Sequence, residues 1–147
     1  MKTEKSLRAR AMDILSRREV SRLELRRKLT PYAESEEEVE AVLDEFSERN
    51  WQSDERYTES FVRSKSPKHG RLRLQQALAA VGVDEDLIRE NLPDCEQELA
   101  NACVVLYKKF KAPAENAQEK QKQLRFLLYR GFDIDTAMQA LRSEWPD

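Results

Sequence analysis

The chain has 147 residues, enough for one compact unit or a few small ones sharing a core. Hydrophobic residues make up 39%, charged residues 37%, and the formal net charge is −2, so the overall basic excess of a sequence-reading nucleic-acid binder is missing. Three glycines and five prolines are too few for the turns of an all-β fold and point to helices joined by short links. No apolar run approaches the roughly 18 residues of a membrane span. Residues 1–8 lack the apolar stretch of a secretory signal, and the expected location is the cytoplasm.

In chain order, an apolar period near 3.6 predicts short amphipathic helices and almost no strand. The first carries Leu7, Ala11, Ile14 and Leu15. Ser21-Arg22-Leu23-Glu24 has the form of a capping box, in which the serine accepts from the third helical N–H and the glutamate reaches back. It opens a helix through Leu25 and Leu29 that Pro31 ends. Ser35-Glu36-Glu37-Glu38 repeats the box, sets carboxylates at a positive helix end, and leads into Val39, Val42, Leu43 and Phe46, stopping near Asn50.

The pattern then restarts. Asp54 is placed to cap a helix with Tyr57 and Phe61 that stops before Pro67. The next runs from about Arg71 through Leu74, Leu78 and Val81, with Gly82 as its C-terminal stop. A short helix holds Leu87, Ile88 and Leu92 before Pro93. A last group follows: Leu99, Cys103, Leu106 and Phe110; then Leu124, Leu127 and Leu128 up to Gly131; then Ile134, Ala137, Met138, Leu141 and Trp145. Cys95 and Cys103 share one of these helices about 12 Å apart at 1.5 Å per residue, too far for a disulfide. Cys103 reads as a small core residue.

The expected fold is therefore all-α, a tandem array of three three-helix, helix-turn-helix-like units spanning 1–53, 54–93 and 94–147. Segments 21–29, 70–78 and 119–128 can be laid over one another, and Gly82-Val83-Asp84 and Gly131-Phe132-Asp133 end two of them alike. Charge follows the same rhythm. Residues 1–30 hold ten Lys/Arg against four Asp/Glu, residues 31–59 hold two against eleven, and the alternation continues to the end. Such runs are most often solvated or paired within the chain; alternatively, the basic helices form a stripe suited to a charged groove.

Little chemistry is available. His69 is the single histidine and reads as a loop or helix-start residue, and with two dispersed cysteines it has no metal-ligand spacing. The glycines stand alone at 70, 82 and 131, so there is no phosphate loop, and no nucleophile elbow is present. Neither catalysis nor a cofactor is expected. Tyr57, Phe61 and Phe110 fall at core spacing rather than on a base-stacking face. A helix-turn-helix protein that binds DNA directly remains an alternative, with Arg22, Arg26, Arg27 and Lys28 as groove contacts. A generic helical adaptor is a third reading.

From Asn50 through Trp51-Gln52-Ser53-Asp54-Glu55-Arg56-Tyr57 to Phe61-Val62-Arg63, and again from Gly70 to Leu78 and Gly82-Val83, the chain resembles the RecX family. That family has a Gly-aromatic pair, an acidic helix start of Asp-Glu-Arg-Tyr-Ala type, an aromatic-Val-Arg and a Gly-initiated helix ending in Gly-Ile. Arg22-x-Glu24-Leu25-x-x-Lys28-Leu29 is similar to the family's first unit. Asn50 replaces the usual glycine, Gln52-Ser53 stands where Leu/Ile-Asp/Asn is common, and Lys68-His69 where a proline often adjoins the glycine.

The resemblance implies a curved, elongated array that modulates RecA in DNA repair and the SOS response. It would bind the RecA filament on single-stranded DNA as a monomer with at most weak direct DNA binding, limiting recombinase, ATPase and coprotease activity. Candidate contact residues under that reading are Arg22, Arg26 and Arg27; Arg63, Lys65, Lys68, Arg71 and Arg73; and Lys108, Lys109, Lys120, Lys122 and Arg125.

Overall fold

Short polar side chains fix where helices begin. Ser6, Ser21, Ser35, Asp94, Asn116 and Asp133 each have extended backbone and accept the N–H three residues ahead, which the helix leaves unpaired. In the computed structural model, which describes residues 5–146, the helices are α1 Leu7–Arg17, α2 Arg22–Leu29, α3 Glu36–Glu48, α4 Asp54–Lys65, α5 Arg71–Ala80, α6 Glu85–Asn91, α7 Cys95–Phe110, α8 Ala117–Tyr129 and α9 Ile134–Arg142. No strand occurs among the described residues, so the all-α expectation holds. Positions 1–4 of the segment read for a signal lie outside the described residues.

The chain packs as two compact units, one of Met1–Ser60 with Leu78–Ile88 and the other of Phe61–Ala77 with Arg89–Asp147. In the first, α1, α2 and α3 bury Leu7, Ala11, Val20, Leu25, Leu29, Val39, Leu43 and Phe46 together. Trp51 meets the Phe46 ring edge-on at 5.1 Å. In the second, α7, α8 and α9 bury Ala102, Leu106, Leu127, Phe132, Ala137 and Ala140.

Several local expectations need correction. α2 ends at Leu29, ahead of Pro31 as expected, but a 3₁₀ turn, Thr30–Tyr32, continues the winding past the proline, which suits a first-turn position because its missing N–H is not needed there. Glu24 does not complete its capping box; its carboxylate faces Arg18 at 3.4 Å. Leu128 and Ile134, expected in the apolar stripes, are 40% and 57% exposed. Gln123 is buried instead and donates to the Ala112 carbonyl at 3.1 Å. Leu92 lies just past α6 and Trp145 past α9, though Trp145 still packs against Tyr107 with ring centroids 4.6 Å apart.

The residues that carry the family resemblance are architectural. Ser53, not Asp54, caps α4 by accepting the Arg56 N–H at 3.1 Å. The Asp54 carboxylate instead accepts the Arg22 N–H at 2.8 Å, supplying the first turn of α2 with a negative charge. Buried Gln52 donates to the Val20 carbonyl and to Asp54. The Arg56 guanidinium donates to the Asn50 and Trp51 carbonyls at 3.0 Å each and pairs with Glu19 at 2.6 Å, which ties the link after α3 to α4. Asn50 itself has φ 60°, a left-handed conformation that asparagine tolerates far better than most residues.

One junction is built twice. In the first unit the Ser21 hydroxyl donates to the Val81 carbonyl at 2.7 Å, in the turn where Gly82 has φ +80° and lies against Leu23. In the second unit the Gly70 N–H donates to the Arg130 carbonyl at 2.8 Å and the Leu72 N–H to Gly131 at 3.1 Å, in the turn where Gly131 has φ +98°. Ser21 and Gly70 are 49 positions apart, as are Val81 and Arg130. The sequence overlay of the middle helices thus has a structural counterpart at their starts. Ser21 serves both as helix cap and as junction donor, so Ser21→Ala is expected to cost about 2 kcal/mol. Urea denaturation of the two proteins measures this; equal midpoints would deny the junction its role.

The second unit has its own capping device. Glu98 is 1% exposed, and one of its oxygens accepts the Arg71 N–H at 2.6 Å at the head of α5. Burial holds its pKa above the ordinary carboxylate range, opposed by the Arg71 N–H. The folded state therefore keeps this proton to higher pH than the unfolded chain does. Its contribution to stability is full below the ordinary glutamate pKa of the unfolded chain and falls as pH rises through the raised folded pKa. Glu98→Gln is expected to remove that slope from the urea midpoint against pH; an unchanged profile would mean Glu98 does not titrate as a buried group.

Candidate interaction surface

In the first unit the expected contact cations divide. Arg22 pairs with Glu40 at 3.1 Å and with Asp44 at 2.7 Å, and Arg26 pairs with Glu40 at 2.8 Å. α2 therefore spends these guanidinium groups on the acidic helix α3, and the hydrogen bond from Arg26 leads in holding the Glu40 carboxyl below its usual pKa. Arg27 points the other way. It lines a hollow of about 440 Å³ with Lys5, Arg10, Arg17, Lys28 and Tyr32; Arg10 stacks on the Tyr32 ring at 3.7 Å. Asp13, also in this lining, is paired with Lys5.

In the second unit Lys68, Lys108 and Lys109 come together. With Arg130 they border a groove of about 580 Å³ whose other walls are Pro67, Val104, Val105 and Phe126. Among the described residues no carboxylate lines it. Lys65, Lys68, Arg73 and Arg130 also surround His69, whose pKa is held below its ordinary value by burial and then by these cations. Arg73 sits over the ring of Tyr129, which is 76% exposed.

The remaining candidates are dispersed. Arg63 and Arg125 are exposed, and Arg71 is half-buried. Lys122 and Lys120 border two smaller hollows near the α7–α8 link, each with acidic residues in its lining. Arg130, Arg10, Arg17 and Lys5 did not stand out in the sequence. Arg130 adjoins a turn glycine, and its carbonyl is what the junction uses, so the side chain's exposure to the groove had no linear signal. Tyr57 is buried, and burial, followed by the neighbouring Glu24, pushes its hydroxyl up to about 12; it is no stacking platform.

An anion seated among the cations around His69 stabilises the imidazolium, so the His69 pKa is expected to rise when inorganic phosphate or a short oligonucleotide binds. An NMR titration of the single imidazole reads this directly, and a pKa indifferent to anions would place their binding elsewhere. Among the described residues no group of three or more His, Cys, Asp or Glu side chains is arranged to hold a metal ion. Cys95 and Cys103 are free thiols, the first exposed and the second half-buried. No described helix is long and apolar enough to cross a membrane.

Comparison with known proteins places this geometry. Residues 53–92 match the family model described as "RecX, second three-helix domain" and residues 96–141 that described as "RecX, third three-helix domain". The chain is 65% identical over 147 residues to the "Regulatory protein RecX" of Neisseria gonorrhoeae, covering 100% of this chain and 96% of that one. To the protein of the same name from Chromobacterium violaceum it is 48% identical over 137 residues, covering 93% and 90%. The crystal structure of RecX from Lactobacillus salivarius superposes with a TM-score of 0.80 at 18% identity, covering 92% of each chain, a likeness of fold.

Proposed function

This chain belongs to the RecX family, and on that premise we propose that it acts without catalysis as a cytoplasmic, monomeric regulator of RecA. It binds the RecA filament on single-stranded DNA and limits recombinase, ATPase and coprotease activity in DNA repair and the SOS response. The three-helix units at 1–53, 54–93 and 94–147 are the repeated contact modules, a division supported by the matched spans 53–92 and 96–141. Modest contacts from several modules on one polymer add through effective concentration.

The observation that carries this reading is the groove in the second of the two compact units, where Lys68, Lys108, Lys109 and Arg130 stand with no carboxylate of the described residues in the lining. Cations that no described carboxylate pairs with are available to an anionic assembly such as a protein–DNA filament. The first unit contributes its own basic hollow, with Arg27 among the lining residues. Arg63, Lys65, Arg71, Arg73, Lys120, Lys122 and Arg125 complete the candidate surface, while Arg22 and Arg26 reach it only by giving up Glu40 and Asp44.

Co-sedimentation with RecA filaments tests binding. At a salt concentration where free single strands leave the chain in the supernatant, it is expected to pellet with RecA on DNA. Pelleting that needs DNA but no RecA would favour the direct DNA-binding alternative. Tyr129, exposed and flanked by Arg73, is the observation on that side, since an open ring beside a cation can stack a base. That mode carries a steep salt dependence.

A further inference from the structure

The groove bordered by Lys68, Lys108, Lys109 and Arg130 is not a uniform anion site. Its lining also includes Val104, Val105 and Phe126, and Val104 is 61% exposed. An exposed branched aliphatic side chain in a concave, cation-rimmed surface is costly to leave in water and offers nothing to a phosphate. Aliphatic side chains have no π-face for a base. The Phe126 ring is already occupied by the protein's own groups, with Arg130 over it at 5.2 Å, Lys109 at 6.0 Å, and Phe110 edge-on at 5.4 Å. A single strand needs an open aromatic face beside its cations, and this groove does not provide one.

We propose that this groove docks an acidic polypeptide segment that inserts an aliphatic or aromatic side chain against Val104 and Val105 while its carboxylates meet Lys68, Lys108, Lys109 and Arg130. The volume of about 580 Å³ suits one or two large side chains. Charge complementarity supplies the rest. None of the four cations has a carboxylate partner among the described residues, and Arg130 is steadied by donating to the Lys68 carbonyl at 3.5 Å. Apolar anchors at the centre of a polar rim are how such interfaces concentrate their affinity. The inference rests on the regulatory reading for the identity of the protein that carries the segment; the chemistry of the groove stands on its own residues. It assigns this part of the basic surface to protein carboxylates and leaves phosphate contacts to other cations of the chain.

The test uses the intact chain and two fluorescein-labelled acidic peptides of equal length and charge, one with a central Leu-Phe pair and one with Ser-Ser. Fluorescence anisotropy is expected to show the Leu-Phe peptide bound on the order of tenfold tighter, as apolar burial of that size would give. Val104→Ser, at an exposed position where the fold is retained, is expected to abolish that advantage and leave the Ser-Ser peptide unchanged. Lys108→Gln with Lys109→Gln is expected to weaken both peptides. Equal affinity for the two peptides, or an advantage that survives Val104→Ser, overturns the proposal. So does an oligothymidylate of equal charge that displaces both peptides and is itself weakened by Val104→Ser, which would make the groove a nucleic-acid site. RecA is absent from this assay. A chain that selects the Leu-Phe peptide yet does not act on RecA keeps the groove and loses the regulatory reading; a chain that acts on RecA without selecting the peptide does the reverse.

Discussion

Gly70→Ala is expected to lower the stability of the protein by about 3 kcal/mol or more, from a methyl group alone. A Cβ at position 70 would lie 2.3 Å from the Gly131 carbonyl carbon and oxygen and from the Phe132 nitrogen. Those are backbone atoms of a turn held at φ +98°, so they cannot step aside as a flexible side chain would. The start of α5 must move away, weakening the Gly70–Arg130 and Leu72–Gly131 hydrogen bonds, and each buried group left unpaired costs roughly 1–3 kcal/mol. For a chain of this size, about 3 kcal/mol corresponds to a midpoint lower by on the order of 10 °C. At Gly82, whose φ of +80° already disfavours any side chain, an added Cβ meets only the movable Leu23 side chain, at 2.8 Å, so Gly82→Ala is expected to show the cost of a left-handed backbone rather than that of a displaced helix start. Thermal melts of the two variants decide the matter; a Gly70→Ala protein as stable as the parent would mean that the junction is looser than described.

Lys108→Glu with Lys109→Glu is expected to weaken action on the filament at least tenfold while leaving the fold intact. Both side chains are exposed and border the second unit's groove, so the pair turns a cationic rim into a mixed one at little structural cost. Lost complementarity of this kind slows association and suppresses binding. The informative contrast is Arg22→Glu with Arg26→Glu. Those arginines hold Glu40 and Asp44, so their reversal sets like charges together and is expected to lower the melting temperature. Dose–response curves for RecA inhibition beside circular-dichroism melts separate the two. Loss of activity from the arginine pair alone, with no thermal effect, would move the contact surface to the first unit.

The contrast also marks how far the sequence is legible. Helix starts were readable because a capping serine or aspartate acts on N–H groups three residues away, a purely local matter, and Ser21 and Ser35 cap as their positions demand. The Gly82 and Gly131 stops were equally local, since each needs a positive φ. What could not be read was where a polar side chain finds a distant partner. Asp54 looked like the cap of its own helix, yet it serves the start of α2 across 32 positions. Glu98 and Gln123 have the residue types of a solvated face but lie buried, each satisfying a backbone group of another element.

The candidate surface is legible to a similar depth. The charge rhythm located the basic helices, and Lys68, Lys108 and Lys109 do border one groove. It could not separate Arg22 and Arg26 from them, because pairing with α3 depends on which faces of two helices meet. Nor could it show Val104 as part of the groove, since the valine falls outside the apolar stripe of α7 and nothing local says which neighbours its open side meets.

RecA's single-strand-dependent ATPase, measured with this chain added well below the RecA concentration, tests the central claim most directly. The rate is expected to fall at doses that leave free single strands unshifted in a parallel gel assay, because one chain acting on a filament affects many RecA subunits. An unchanged ATPase, with DNA shifted by the chain alone at low salt, would contradict filament regulation and leave a direct DNA binder in its place.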